Sequence, residues 1–371
     1  MTTAELASLT HQVLWASFFA AVAFGALVQR TGFCTMGAVA DIVTMGDWTR
    51  MRQWMLAAGV ATVGFAFLAW AGVIDPAKTL YASTRWTWLS ALVGGAISGF
   101  GMVQASGCAS KALVRVGGGN LKALVVVIVL GIAAFATLKG ITAVLRTQTV
   151  DRVGIDLAVQ ASLGALAAQA TSMNVGAVSL VLGVAVGAAL VAWALSAGES
   201  RRGIDVLAGV GVGACVLAMW WVSGHFGFVA EHPETLQETF LATNSTRAEA
   251  LSFVSPVAYT LDWLMFFSDK NKFVSVGMVT VVGVIAGSAA TALAQRSFRW
   301  EGFGSVEDVA NHLGGGLLMG VGGITAMGCT VGQGLSGIST LSITSFTAVA
   351  AIIAGAVGAI KYQVWRLERM G

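Results

Sequence analysis

Charge is what this chain has least of. Asp, Glu, Lys and Arg make up 11% of its 371 residues, while 56% are hydrophobic. A soluble domain usually carries roughly a quarter charged residues. One soluble core cannot hide this apolar excess, so a water-soluble globule is excluded. The net charge of +3 gives no reason to invoke nucleic acid.

Other absences narrow the chemistry. There is no Cys-x-x-Cys pair and no pair of histidines at ligand spacing, so no metal or haem site is expected, and no other cofactor. No Walker-type phosphate loop occurs, so bound ATP is not indicated. No G-x-S-x-G elbow is present. The N-terminal "MTTAELASLTHQ" lacks a basic leader region, and the run from Val13 to Val28 passes into Gln29 and Arg30 without a cleavage site. A retained first helix is the expectation. The four cysteines, Cys34, Cys108, Cys215 and Cys329, avoid polar outer loops, which argues against a disulfide framework.

What the chain does have is apolar runs near the length that spans hydrocarbon, about 20 residues. They lie near 13–29, 53–74, 87–106, 121–138, 157–172, 175–197, 204–223, 273–294, 306–327 and 342–360. The fold class is therefore all-α, a polytopic integral membrane protein forming one transmembrane domain over 1–371. One long polar break, 224–255, carries Glu231, Glu234, Glu238 and Glu249 against a lone Arg247. Arg201 and Arg202 precede the helix before it, and Lys361, Arg366 and Arg369 lie near the C-terminus. The positive-inside rule puts "ESRRG" and the C-terminus in the cytoplasm and the acidic break outside.

An internal repeat carries most of the functional information. "GGAISGFGMVQASGC" ends at Cys108 and "GGLLMGVGGITAMGC" ends at Cys329, a constant offset (329 − 108 = 221). Gly94, Gly95, Gly99, Gly101, Ala105, Gly107 and Cys108 match Gly315, Gly316, Gly320, Gly322, Ala326, Gly328 and Cys329. A weaker echo surrounds Cys34, where Cys34, Thr35 and Gly37 parallel Cys329, Thr330 and Gly332. Paired glycine-interrupted segments predict two pseudo-symmetric halves, roughly 13–197 and 204–363, with re-entrant helices and a substrate path between them.

The glycines let helices approach closely. They also permit unwound backbone, which membranes tolerate only inside protein or along a polar path. Free N–H groups at a helix terminus suit an anion. An apolar setting keeps a cysteine there a neutral thiol, able to donate to that anion. The expected path residues are Cys34, Cys108 and Cys329, the turn glycines Gly107 and Gly328, Gln333, and Lys111 as a source of positive field. Arg115 and Arg30 are further basic candidates. Plainer readings stand beside these: a buried cysteine is more often a small apolar filler, which fits Cys215. His312 reads equally as a hydrogen-bonded helix-start residue, the basic side chains as interfacial charges, and the twelve tryptophans as interface anchors.

"RTGFCTMGAVAD", "GMVQASGCASKAL" and "GGGLLMGVGGITAMGCTVGQGLSG" together resemble the signature segments of the YeeE/YedE family of sulfur transport proteins. The resemblance implies an hourglass-like monomer in the bacterial inner membrane, importing thiosulfate or a related sulfur anion. It also implies that Cys34, Cys108 and Cys329 line the constriction and hand the ion from thiol to thiol, with no enzymatic turnover. A small TusA-like sulfurtransferase would be the cytoplasmic companion, as a separate chain. The acidic segment has no match in that family core. Two other classes remain open on the residues: a membrane sulfurtransferase or thiol oxidoreductase, and a general small-anion channel.

Overall fold

The structure is a computed structural model that describes residues 3–198, 202–233 and 235–370. Arg201 of the orientation argument and Glu234 of the acidic break lie outside the described residues. The described chain is mostly helical, with only two short two-stranded pairings. It runs α1 (Thr3–Thr31), α2 (Thr35–Met45), α3 (Thr49–Trp70), α4 (Trp88–Gln104), α5 (Ala109–Gly117), α6 (Leu121–Lys139), α7 (Ile141–Gln148), α8 (Leu163–Thr171) and α9 (Val175–Leu195). There follow α10 (Gly203–Trp221), α11 (Val254–Met265), α12 (Val276–Ala294), α13 (Val306–Thr325) and α14 (Ile343–Met370). Among the described residues, eight helical stretches are long and apolar enough to cross a membrane.

The 221-residue offset extends well beyond the motifs. Shifted by it, α2, α3, α4 and α6 fall on α11, α12, α13 and α14. The counterpart of α5 is a short helix at 330–339 that widens into a π-helix over Gly332–Gly337. Packing repeats as well. α4 lies along α14 as α13 lies along α6, and α1 lies along α12 as α10 lies along α3. α7 to α9 have no counterpart among α10 to α14, and α9 packs on α3. The stretch 157–172 is not a spanning helix. Only its second part is helical, and its first part is irregular, with the Leu157 and Ala161 amides bonded to Thr84 O and Ser83 O.

Reciprocal glycine contacts locate the pseudo-two-fold axis. A Cβ at Gly94 would stand 2.7 Å from Gly322 O, and one at Gly322 would stand 2.6 Å from Gly94 O. Gly101 and Gly315 mirror this at 2.8 and 2.7 Å. The early end of α4 therefore meets the late end of α13. These two counterparts run antiparallel, which makes the repeat an inverted one. Gly95 and Gly99 face α14, as Gly316 and Gly320 face α6. The repeated glycines thus set helix spacing in a bundle where lipid offers no hydrophobic drive for association. Replacing Gly322 with Ala puts a methyl 2.4 Å from Ser98 N, where backbone must move. We expect that overpacking to cost about 1–3 kcal/mol, seen as a lowered melting temperature in detergent. Gly358→Ala, with nothing within 4 Å, should not lower it. Equal melting of the two variants would contradict this packing role.

Charged pairs define two faces. Arg366 bonds Glu307 at 2.8 Å and Lys122 bonds Asp308 at 2.8 Å, so the end of α14 and the starts of α13 and α6 share one face. Gln104 at the end of α4 meets Gln363. The acidic segment folds over the opposite face. It contains a short hairpin, Phe228–Val229 against Thr239–Phe240, and it bridges Ala248 to Thr79. Lys78 pairs with Glu238 there. Tryptophan placement departs from an interfacial role at two positions. Trp54 and Trp220 are buried, and Trp220 Nε1 donates to Ser339 Oγ at 3.0 Å.

Candidate functional site at three buried thiols

The Cys34 and Cys329 echo in sequence becomes one local structure used twice. Cys34 caps the N-terminus of α2, and its sulfur accepts from Gly37 N at 3.4 Å. Cys329 precedes the 330–339 helix, and its sulfur accepts from Gly332 N at 3.4 Å. In each "Cys-Thr-x-Gly" the cysteine takes the place of a Ser or Asp cap, bonding the amide three residues on. Cys108 caps α5 without that bond from an amide three residues on, and its sulfur lies 3.3 Å from Ser110 Oγ. Three short helices therefore begin at a thiol, with their amide ends turned toward it.

The fold brings these caps together. The Cys34 and Cys108 side chains are close neighbours. Cys329 neighbours Cys108 and the Phe253 amide at the start of α11. Cys108 thus meets the α2 N-terminus as Cys329 meets the N-terminus of its counterpart, α11, where no cysteine stands. All three thiols are buried, at 8%, 2% and 3% exposure for Cys34, Cys108 and Cys329. Cys215 sits apart, on α10, and is buried. An apolar cavity of about 450 Å³ against α3, α8 and α9 is lined by none of them.

Donors without partners lie in the two cysteine-capped turns and on the crossing helix α3. Thr35 Oγ1, Thr330 Oγ1 and Trp54 Nε1 are buried and have no protein hydrogen bond of good geometry. Thr330 faces the Cys108 thiol, and the Trp54 ring lies against Gly334. Leaving such groups dry and unpaired costs about 1–3 kcal/mol each. The two threonines were readable in the echoed motif. Trp54 carries no sequence signal, since its role comes from α3 crossing the π-helix.

The remaining expected residues divide. Lys111 has Cys34, Cys108, Arg115 and Arg50 as its polar and charged neighbours, which places it at the thiol pair. Arg115 Nη1 donates to Ser106 O at 3.1 Å and so braces the turn before Cys108. Arg50, missed in the sequence, ion-pairs with Asp41 at 3.3 Å and lies over Gly37 of the Cys34-capped turn. Arg30 is exposed at the end of α1. His312 lies in the second turn of α13 and not at its start, with Nδ1 2.8 Å from Asp308 O and 3.0 Å from Asp308 Oδ1.

Three residues act on the backbone more than on a path. Gln333 uses both ends internally: Nε2 donates to Ala326 O at 2.7 Å, and Oε1 accepts from Ser345 Oγ at 2.6 Å. It ties the turn before Cys329 to α14. The residue before the glycine is left-handed in each turn, Ser106 at φ 56° and Met327 at φ 58°, and Gly328 itself also has a positive φ, 158°, as expected for that position. A Cβ at Gly107 would meet only the Lys111 stem at 3.5 Å, an ordinary contact, so the close backbone approach expected there is absent. At Gly328 it would meet Gln333 Cγ at 3.1 Å.

The family described as sulphur transport matches residues 30–358, spanning all three cysteine motifs. The chain is 25% identical over 319 residues to the thiosulfate transporter TsuA of Escherichia coli (strain K12), covering 84% of this chain and 83% of that one. It is 24% identical over 334 residues to the thiosulfate transporter TsuA of Spirochaeta thermophila, covering 88% and 92%.

Proposed function

We propose that this chain, which belongs to the sulphur transport family, imports thiosulfate, or a related sulfur-bearing anion, across the bacterial inner membrane through the three-thiol site. One observation carries this reading. Both inverted halves place a cysteine at the amide end of a short buried helix, and these ends converge. Moving a full charge through hydrocarbon unaided is prohibitive. Converging helix N-termini offer fixed positive ends and free N–H groups in place of water. The unpaired hydroxyls of Thr35 and Thr330 and the Trp54 N–H supply neutral donors for sulfonate oxygens. The thiols meet the soft terminal sulfur. Cys329 would take the ion from the face of the acidic segment, and Cys108 with Cys34 would pass it to Lys111 at the other.

That order requires the Arg202 face to be cytoplasmic, as the basic residues there suggest. Arg50, Lys111 and Arg115 then form a basic exit that holds the anion briefly; binding must stay weak enough to release it. A TusA-like sulfurtransferase, as a separate chain, would consume it there, and the transporter would act as a monomer. Lys111 beside two thiols favours one rival, a covalent sulfur transfer at Cys108 or Cys34, since a cation stabilises the thiolate such chemistry needs.

Alkylation of the thiols tests the site directly. Thiosulfate should slow labelling of Cys329 by a small methylating thiol reagent severalfold, read by mass spectrometry of the intact protein, and sulfate should not. Equal labelling with and without thiosulfate would contradict a thiol-lined path.

A further inference from the structure

A second polar cavity lies on the face of the acidic segment. It measures about 90 Å³ and is lined by Ser245, Glu249, Ser252, Ser255, Tyr259 and Met327, among others. Its floor is the turn that carries Cys329. Met327 belongs to that turn, and Ser252 Oγ lies 2.7 Å from where a Cβ at Gly332 would stand. Tyr81 donates to Gly332 O at 2.5 Å, while Gly332 N donates to Cys329. The cavity is therefore one step from the first thiol.

A carboxylate in that place is a paradox for an anion path. Glu249 has protein packed round it and no ion pair among the described residues. Its Oε1 accepts from Ser245 N at 3.0 Å and from Ser245 Oγ. Its own backbone is pinned to Ser223, which accepts from Glu249 N and donates to Glu249 O. Three cations of this face are engaged elsewhere. Arg247 Nη1 donates to Ala82 O at 2.8 Å, Lys78 pairs with Glu238, and Lys272 pairs with Asp262. The titratable groups facing Glu249 are the phenols of Tyr81, from the 71–87 loop, and Tyr259, from α11, with Cys329 beyond Tyr81. None supplies a positive charge.

We propose that Glu249 is a proton site coupled to anion entry: the sulfur-bearing anion occupies the cavity only when Glu249 is protonated, so that uptake is proton-linked. This rests on the transport reading above. Ionised, Glu249 repels an incoming dianion at close range in a poorly solvated pocket. Protonated, it becomes an O–H donor beside Ser245, Ser252 and Tyr259. Burial pushes its carboxyl above the usual range, against the two Ser245 bonds that pull it down. Protonation therefore sets in as pH falls through that raised value and is lost as pH rises. Linkage is reciprocal: if the proton raises anion affinity, the anion raises proton affinity by the same factor.

The experiment is initial uptake of labelled thiosulfate by proteoliposomes across an external range of about pH 5.5 to about 8.5, with an external pH dye recording proton movement. Wild type should take up thiosulfate faster at acid pH and alkalinise the outside as the anion enters. Glu249→Gln keeps an acceptor for Ser245 and should show a flat profile, exceeding wild type at the alkaline end. Loss of uptake at every pH in Glu249→Gln would mark a structural role and overturn the proposal. Entry of thiosulfate into wild-type vesicles without external alkalinisation would overturn it too, whatever the variant does, and would leave the transport reading standing. No thiosulfate uptake by wild type at any pH would defeat the transport reading itself, and the coupling with it.

Discussion

Thiosulfate uptake is expected to fall by about 10–100-fold in Cys329→Ala and in Cys108→Ala, the loss of one charge-assisted hydrogen bond of about 1.5–3 kcal/mol. The two thiols stand at equivalent places in inverted halves, so the path has no spare for either. Each side chain is small, and the melting temperature should move little. Cys215→Ala is the internal control. That thiol is as buried as Cys34 but lies within α10 and caps no helix. A damaging Cys215→Ala beside a harmless Cys329→Ala would reverse the assignment.

Cys329→Ser separates hydrogen bonding from covalent chemistry. A serine hydroxyl still donates, and Ser is a natural helix cap, so the bond from Gly332 N survives. Relay by donation predicts that Cys329→Ser keeps clearly more uptake than Cys329→Ala. A persulfide or thiosulfonate step predicts that both are dead, because a hydroxyl cannot exchange with sulfur. Mass spectrometry of wild-type Cys329 after turnover gives the second readout. An adduct that accumulates with turnover, joined to an inactive Cys329→Ser, would replace the relay with covalent transfer.

Much of this was legible in the chain. Scarce charge and recurrent apolar runs dictate an all-helical membrane bundle, and the structure has it. The offset of 221 announced the repeat because close helix crossing demands glycine at fixed positions, and each half must meet that demand. "Cys-Thr-x-Gly" was legible because a cap and its amide are local in sequence.

What stayed hidden depends on distant contacts. Trp54 and Arg50 reach the site only because α3 crosses the π-helix and packs beside α2. Gln333 looked like a path residue beside Cys329, yet its amide is spent on Ala326 and Ser345, a closure that only the turn geometry reveals. Gly107 looked sterically demanding, but the strained dihedral falls on Ser106, where a serine bears it. Glu249 stood in the sequence as one of several acids in a polar break. Folding the segment back over the Cys329 turn gives it a cavity.

Uptake of labelled thiosulfate and labelled sulfate by proteoliposomes, compared between wild type and Cys329→Ala, tests the central claim most directly. A path read by thiols predicts that wild type takes up thiosulfate and leaves sulfate outside, since sulfate has oxygen where thiosulfate has its soft sulfur. Cys329→Ala should then lose most of its thiosulfate uptake and still leave sulfate outside. Equal entry of both ions, unchanged by Cys329→Ala, would contradict the account and leave a general anion channel built on glycine-rich turns.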